Sequence, residues 1–461
     1  MTSSDGLNPL PQAGAPAPAI VVPLWGEDLM VDKEALASFR ALHPKLRLYA
    51  ILLDGAELPG GVSFDRIIRL PLARPQLAYA ESIVLQLCFG EGGGLVGVLR
   101  ALGAADLKAA EQHLALLAGG GADAVLVTGA APADDTLFLS ERASFLASLW
   151  SALSGELLED RVKLAAGLLG LAGRRGVSFN GAHAALPTVD LASFAAKAAL
   201  LRSQLGLTIG TLPLPRAQPI RRVAVVTPYY KEPGHELQRA IGSVRAQTSP
   251  CDLILVSDGF SNDIARQAGA IHIELGVGHG DGGNAGRYVG AMVALAKGYD
   301  AVAFLDADNW YEPKHIQRMV QRQHETGATA VVSGRNIYLP DGFKLQVPDE
   351  EDESGNHVDT SCYLLTRACE YAWHLWGQMP PEWGAVGDRV LLAELAGQRL
   401  ARTGNRTMNY KSNYAYHYRL AQRPVPEKLN AVPLDLVQNF FRSPQHFRQR
   451  SINRTGRVIR L

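Results

Sequence analysis

AVAFLDADNW, residues 301–310, opens with an unbroken apolar run, Ala301 to Leu305, and then turns acidic. Such a run reads as a short strand buried on both faces of a largely parallel sheet. Asp306 and Asp308 follow at once. In open α/β sheets, ligands gather beyond the carboxyl ends of the strands, which is where both carboxylates fall. At spacing i, i+2 in an extended chain they share a face. Two carboxylates held together repel unless a cation lies between them. Hard oxygen donors suit Mg2+ or Mn2+, held by one or two carboxylates together with substrate phosphates. The other reading is a pair of turn or helix-capping aspartates, because Tyr311-Glu312-Pro313 begins a helical pattern.

Around this strand, helical and extended patterns alternate. TLPLPRAQPIRR (211–222) carries three prolines and reads as a linker, assigned to 213–222. VAVVTP (223–228) is a buried strand. Leu237, Ile241 and Val244 mark a helix over Glu236 to Gln247. CDLILVSDG ends a second strand in Asp258 and Gly259, and HIELGV is a short third one. HGDGGNAGRYVGAMVALAKG (279–298) is a glycine-rich loop running into a helix from about Ala285 to Lys297. A helix from Pro313 to about Glu325 and the strand TAVVSG follow. The order is β-α-β-β-α-β-α-β, with polar residues at the strand ends.

The succession VAVVTPYYKEP, ILVSDG, GNAGRYVGA, FLDADNW and GDRVLLAELAGQRL resembles the family 2 glycosyltransferases, over residues 223 to about 420. That resemblance implies an α/β fold of GT-A type, a Rossmann-like nucleotide-binding domain at 223–425. It implies a nucleotide-sugar donor, a divalent cation, Mn2+ or Mg2+, and transfer to a hydroxyl of a glycan, lipid-linked or protein acceptor. Thr227, Pro228 and Tyr229 would border the base and ribose, with Tyr229 offering a stacking face. Asp258 would accept the uracil N3–H, favouring a UDP-sugar, although Ser257 stands where the family often has a first acid. Gly259 would let the backbone approach the ligand. The glycine-rich helix start at Gly282, Gly283 and Asn284 would offer free N–H groups to phosphate, and Arg287 would lie near the diphosphate. Asp306 would contact ribose or metal, and Asp308 would bind the metal directly. His417 is either a third metal ligand or a histidine satisfied within its aromatic cluster. Asp388 matches the family's general base and would favour inversion at the anomeric carbon, though Gly387 replaces the usual glutamate. Its position equally suits a helix cap. Glu382, Trp383 and Asp359 are candidates for the acceptor wall. A retaining transferase of the same fold, or a sugar-nucleotide-binding scaffold without turnover, are the alternatives.

Residues 19–212 form a separate α/β region. AIVVPLW, LRLYAILLD and ADAVLVTG read as strands, and Ala78–Leu87, Ala105–Leu117, Leu139–Leu153, Leu157–Leu171 and Leu191–Leu205 as helices. His113 and His183 are isolated, and Asp134 and Asp135 read as helix caps. VVPLWGEDL echoes VVTPYYKEP, LLDG (52–55) echoes VSDG (256–259), and ADAVLVTGAA echoes YDAVAFLDAD. The echo has two readings: a duplicated sugar-nucleotide fold that has lost its metal site, or the common look of βαβ units.

Hydrophobic content of 47% and charged content of 20% fit a globular chain, and zero formal net charge argues against nucleic acid as a partner. Cys88, Cys251, Cys362 and Cys369 have no zinc spacing and suit a reducing compartment. Residues 1–18 read as a disordered tail without secretory features, and no apolar run has membrane-spanning length, so a soluble, cytoplasmic protein is expected. DEEDES (349–354) reads as a solvated loop or lid. Residues 426–461 include FFRSPQHFRQRSINRTGRVIRL, an Arg- and aromatic-rich segment. It would dock an anionic acceptor, a partner subunit or a membrane surface peripherally, or else pack on the domain as a helix.

Overall fold

The computed structural model describes residues 18–24, 29–91, 94–118, 124–127, 136–140, 147, 177–179, 182–183, 217–346, 355, 357–379, 381–395, 398–427 and 429. The tail, the helices expected at 157–171 and 191–205, Asp134 and Asp135, the acidic run 349–354 and most of 426–461 lie outside them. The described residues fall into two compact units.

The first unit contains β1 (Ala19–Leu24), α1 (Lys33–Leu42), β2 (Arg47–Leu52), β3 (Arg66–Arg69), α2 (Leu77–Gly90), β4 (Leu95–Val98), α3 (Ala104–Ala118), β5 (Ala124–Val127), β6 (Thr136–Ser140), β7 (Val177–Phe179) and β8 (Ala182–His183). They build one sheet in the order β3-β2-β1-β4-β6-β5-β7-β8. Asp32 starts α1 by accepting a hydrogen bond from Ala35 N–H at 2.9 Å. The start of the expected helix at Leu139 is instead strand β6, antiparallel to both β4 and β5. In TLFLS the leucines alternate, which is the strand period.

The second unit contains β9 (Val223–Tyr229), α4 (Gly234–Arg245), β10 (Asp252–Ser257), α5 (Asp263–Arg266), β11 (Ile271–Glu274), α6 (Asn284–Ala296), β12 (Ala301–Phe304), β13 (Trp310–Tyr311), α7 (His315–Thr326), β14 (Ala330–Tyr338), β15 (Tyr363–Thr366), α8 (Tyr371–Gln378), α9 (Gly387–Glu394), β16 (Leu400–Lys411) and α10 (Ala415–Leu420). The sheet order is β11-β10-β9-β12-β15-β14-β16-β13. The four strands from β11 to β12 are parallel, so their carboxyl ends share one edge. β15 runs antiparallel to β12, with Ala303 opposite Leu364. The residues just before β15 are thereby delivered to the edge where β12 ends.

Helix α6 lies close over β9 because glycines face the strand. A Cβ on Gly290 would meet Val226 Cγ1 at 2.4 Å, and one on Gly286 would meet Pro228 Cβ at 2.8 Å. Gly290→Ala is therefore expected to cost about 1–3 kcal/mol by overpacking, despite alanine's better helix propensity. A denaturant midpoint at or above wild type would contradict that. Among the described residues no helix is long and apolar enough to cross a membrane. All four cysteines are free thiols.

Candidate active site

Strand β12 keeps its pairing as far as Leu305, whose N–H donates to Val226 O at 3.0 Å. The chain then turns. Asn309 N–H donates to Asp306 O at 2.9 Å, and Asp306 N–H donates to Ser361 Oγ at 3.1 Å. Buried Asn309 pins the turn, its Oδ1 accepting Lys411 N–H at 2.9 Å. Arg287 Nη2 donates to Asp306 Oδ1 at 2.5 Å. Asp308 presents its main-chain oxygen to Arg239 Nη2 at 2.7 Å, while its carboxylate accepts no hydrogen bond among the described residues. Burial, then the carboxylates of Asp306, Glu232 and Glu236, push Asp308 up to about 7. Glu236 is held by Lys411. Burial also raises Glu232. Acids this crowded, one of them unpartnered, are stabilised by a cation.

On the far side, Asp388 lies in the first turn of α9. Its Oδ2 is 2.7 Å from His357 Nε2, and its Oδ1 accepts Arg389 N–H at 2.7 Å. Burial works against the charge on Asp388, but His357 and Arg389 outweigh it and hold the carboxyl below its ordinary value. Two contact paths run to the β12 edge from residues close in the chain to Asp388 and to its partner His357. In one, Asp359 accepts from Ser361 N–H at 2.9 Å and from Arg335 Nη1 at 3.0 Å, and Ser361 in turn binds Asp306. In the other, a Cβ on Gly387 would stand 3.2 Å from Asn284 Oδ1, the oxygen that accepts from Arg287 Nη1 at 3.3 Å.

Residues 224–378 match the family model described as glycosyl transferase family 2. Within the second unit, this stretch is similar to the family 2 glycosyltransferases. No curated protein matches the chain. Among solved structures, TarS of S. aureus is similar at 12% identity over 43% of this chain and 38% of its own, with a TM-score of 0.32. Its 1–349 form in complex with UDP-GlcNAc is similar at 12% identity over 44% and 62%, with a TM-score of 0.32. GalNAc-T7 with UDP, GalNAc and Mn2+ is similar at 13% identity over 42% and 44%, with a TM-score of 0.31. The chain thus spans less than two thirds of these neighbours' length.

Several residues of the second unit do other work than the sequence suggested. The helix start at Gly283–Ala285 is no open phosphate cradle. Asp281 is buried and accepts from Gly283 N–H at 3.1 Å and Ala285 N–H at 2.8 Å. Asn284 is fully buried, between Arg287 and Met379. Arg287 is committed to Gly282 O and Asn284 besides Asp306. Tyr229 offers no stacking face, because its ring is buried against His272 and its hydroxyl is 2.7 Å from His272 Nε2. Its neighbour Tyr230 is 41% exposed, edge-to-face with Phe260 at 4.6 Å. Pro228 packs under Gly286, and Thr227 is buried. Asp258 is engaged by His279, through its N–H at 3.1 Å and its Nδ1 at 2.6 Å. Gly259, at φ +89°, makes room for the backbone of Gly278, which a Cβ would meet at 2.2 Å. Trp383 is buried rather than lining an acceptor wall.

His417 is buried, with Nδ1 2.5 Å from Ser412 Oγ and tyrosines 410, 414 and 416 around it. Among the described residues no group of three or more His, Cys, Asp or Glu is gathered as a metal site. The site therefore assembles two strand-end aspartates with Glu232 and Glu236 nearby, and no further ligand group among the described residues. Such a donor set fits a cation that shares its shell with substrate phosphate and water. A Cβ at Gly387 would lie 3.2 Å from Asn284 Oδ1 and 3.3 Å from the Trp376 ring, so a larger residue there would need both to shift by a few tenths of an ångström.

Proposed function

We propose that this domain is a metal-dependent transferase that moves a sugar from a UDP-sugar to an acceptor hydroxyl with inversion. The observation that carries the reading is the unpartnered Asp308 carboxylate beside Asp306 at the end of β12, with two contact paths reaching the same edge from residues close in the chain to Asp388 and His357. Asp306 and Asp308 would hold Mg2+ or Mn2+, which supplies Lewis-acid stabilisation of the departing diphosphate. Arg287 fixes Asp306 in one rotamer. Asp258, held by His279, presents its remaining lone pairs to the uracil N3–H. Tyr230 and Phe260 offer the base the stacking face that Tyr229 cannot. Asp388, ionised at neutral pH, takes the acceptor's proton as its oxygen attacks the anomeric carbon. Ser361, Asp359 and Arg335 lock the floor between the two halves.

Screening UDP-sugars for Mn2+-dependent turnover, with the product anomer read by NMR, tests this reading. A product of retained configuration would remove the role given to Asp388. Tyr230→Ala is expected to weaken UDP binding by about 1–3 kcal/mol, the worth of one stacked base; an unchanged Kd by calorimetry would move the base elsewhere. His357→Gln removes a partner that depresses Asp388, so the Asp388 pKa rises. The acid limb of the kcat/KM profile should move to higher pH, while activity well above that limb changes less. A limb that stays in place would mean that another group takes the proton. The same depressed carboxyl stabilises the fold above its unfolded pKa, a contribution lost as pH falls through the folded value.

A further inference from the structure

Seven of the eight strands in the two sheets repeat in the same order and register, the edge strands β8 and β13 excepted. In the first, Val21 pairs with Tyr49 and Val98; in the second, Val226 pairs with Ile254 and Phe304. Leu52 pairs with Arg69 as Ser257 pairs with Glu274. Val96 pairs with Leu139 as Val302 pairs with Leu365. Ala124 lies between Leu139 and Val177 as Ala330 lies between Leu365 and Leu400. Generic βαβ likeness does not require this, because a slip of one residue would turn each strand's faces over.

The registers assign counterparts. Pro23 corresponds to Pro228. Leu53 corresponds to Asp258, since each donates its N–H to the last residue of its first strand, Leu24 and Tyr229. Asp54 falls one place later, opposite Gly259, so the LLDG echo was out of register. The true counterpart of AVAFLDAD is Leu95–Leu102, and ADAVLV matches the strand at Ala330 instead. Counting on from the first residues of β4 and β12, Arg100 stands where Asp306 stands, and Leu102 where Asp308 stands. Counting back, Glu81 stands where Arg287 stands. Counting from the starts of α1 and α4, Ala35 replaces Glu236.

Asp306, Asp308 and Glu236 therefore have no carboxylate counterpart among the described residues of the first unit, and one ion pair survives with its polarity reversed. Arg100 donates to Glu81, as Arg287 donates to Asp306. Leu102 is fully buried, and the chain closes over it: Leu102 N–H donates to Met30 O at 2.8 Å and Asp32 N–H to Leu102 O at 3.0 Å. We propose that the first unit is a second copy of the transferase sheet whose donor site has been sealed, so that the chain holds one nucleotide site. A guanidinium neutralised by a buried glutamate, with leucines where Asp258 and Asp308 would stand, offers neither a metal ligand nor an acceptor for a base. The location of the working site rests on the preceding reading; the sealing of the first unit does not.

The test combines a charge-exchange cycle with titration, both on the full chain. Glu81→Arg and Arg100→Glu should each lower the thermal midpoint by several degrees. The double variant, which recreates the polarity of the second unit, should regain much of the loss. Additive losses would overturn the structural role of the pair. UDP titrated with Mn2+ should bind wild type and both single variants alike, and should show no saturable heat with Asp308→Ala. Binding retained by Asp308→Ala but lost in Arg100→Glu would place a donor site in the first unit and overturn the proposal. If wild type binds no UDP, the function proposed for the second unit fails, and the exchange cycle still decides this inference.

Discussion

Asp308→Asn is expected to abolish transfer, lowering kcat/KM on the order of 10³-fold or more. Metal-assisted charge stabilisation of the leaving group is worth several kcal/mol, and each decade in rate takes about 1.4 kcal/mol. Asparagine has the same shape and a poorer donor atom for a hard cation. The fold should not suffer. Asp308 is crowded by Asp306, Glu232 and Glu236 and pushed up to about 7 by burial and by those neighbours, so removing its charge relieves repulsion. A metal-free melting point at or above wild type, together with lost turnover, is the combined signature. Turnover within tenfold of wild type in saturating UDP-sugar and Mn2+ would mean that Asp308 is only a turn residue.

Asp388→Asn should lower kcat by roughly 10²- to 10⁴-fold, the usual span for a lost general base, while the Kd for UDP stays near wild type. The separation follows from the geometry. Asp388 is bound by His357 and by the start of α9, whereas the donor-side groups hang from β9, β10 and β12. Asparagine keeps an oxygen for Arg389 N–H and turns its amide nitrogen toward His357, but it accepts no proton from an attacking hydroxyl. A kcat that falls only several-fold would leave Asp388 as a helix-start residue and favour a retaining course. A parallel loss of UDP affinity would point instead to collapse of the contact between Gly387 and Asn284.

How much of this site the sequence disclosed depends on how local each signal was. The β12 strand, its two aspartates, Asp258 at the end of β10 and the helix at α6 are written in runs of neighbouring residues, and the structure has them within a residue or two of expectation. What escaped was carried by partners distant in the chain. Asp281 looks like any loop aspartate until Gly283 and Ala285 are seen to donate to it. His357 was one histidine beside an acidic run, and only the antiparallel return of β15 brings its segment beside the β12 edge. Glu232 sits in a loop with no periodicity to mark it. Tyr229 was misread because strand parity, not residue type, decides which of two adjacent tyrosines faces inward. The echo between the units was audible in residue types, but only hydrogen-bonded register corrected its alignment.

The central claim is a metal-dependent uridine diphosphate site at the end of β12. Its most direct test is calorimetric titration of UDP into the wild-type chain, once with Mn2+ and once with EDTA. The account predicts saturable binding with Mn2+ at one site per chain, and a loss of at least about tenfold in EDTA, equal to about 1.4 kcal/mol. Equal affinity with and without the metal, or no binding in either, would contradict it.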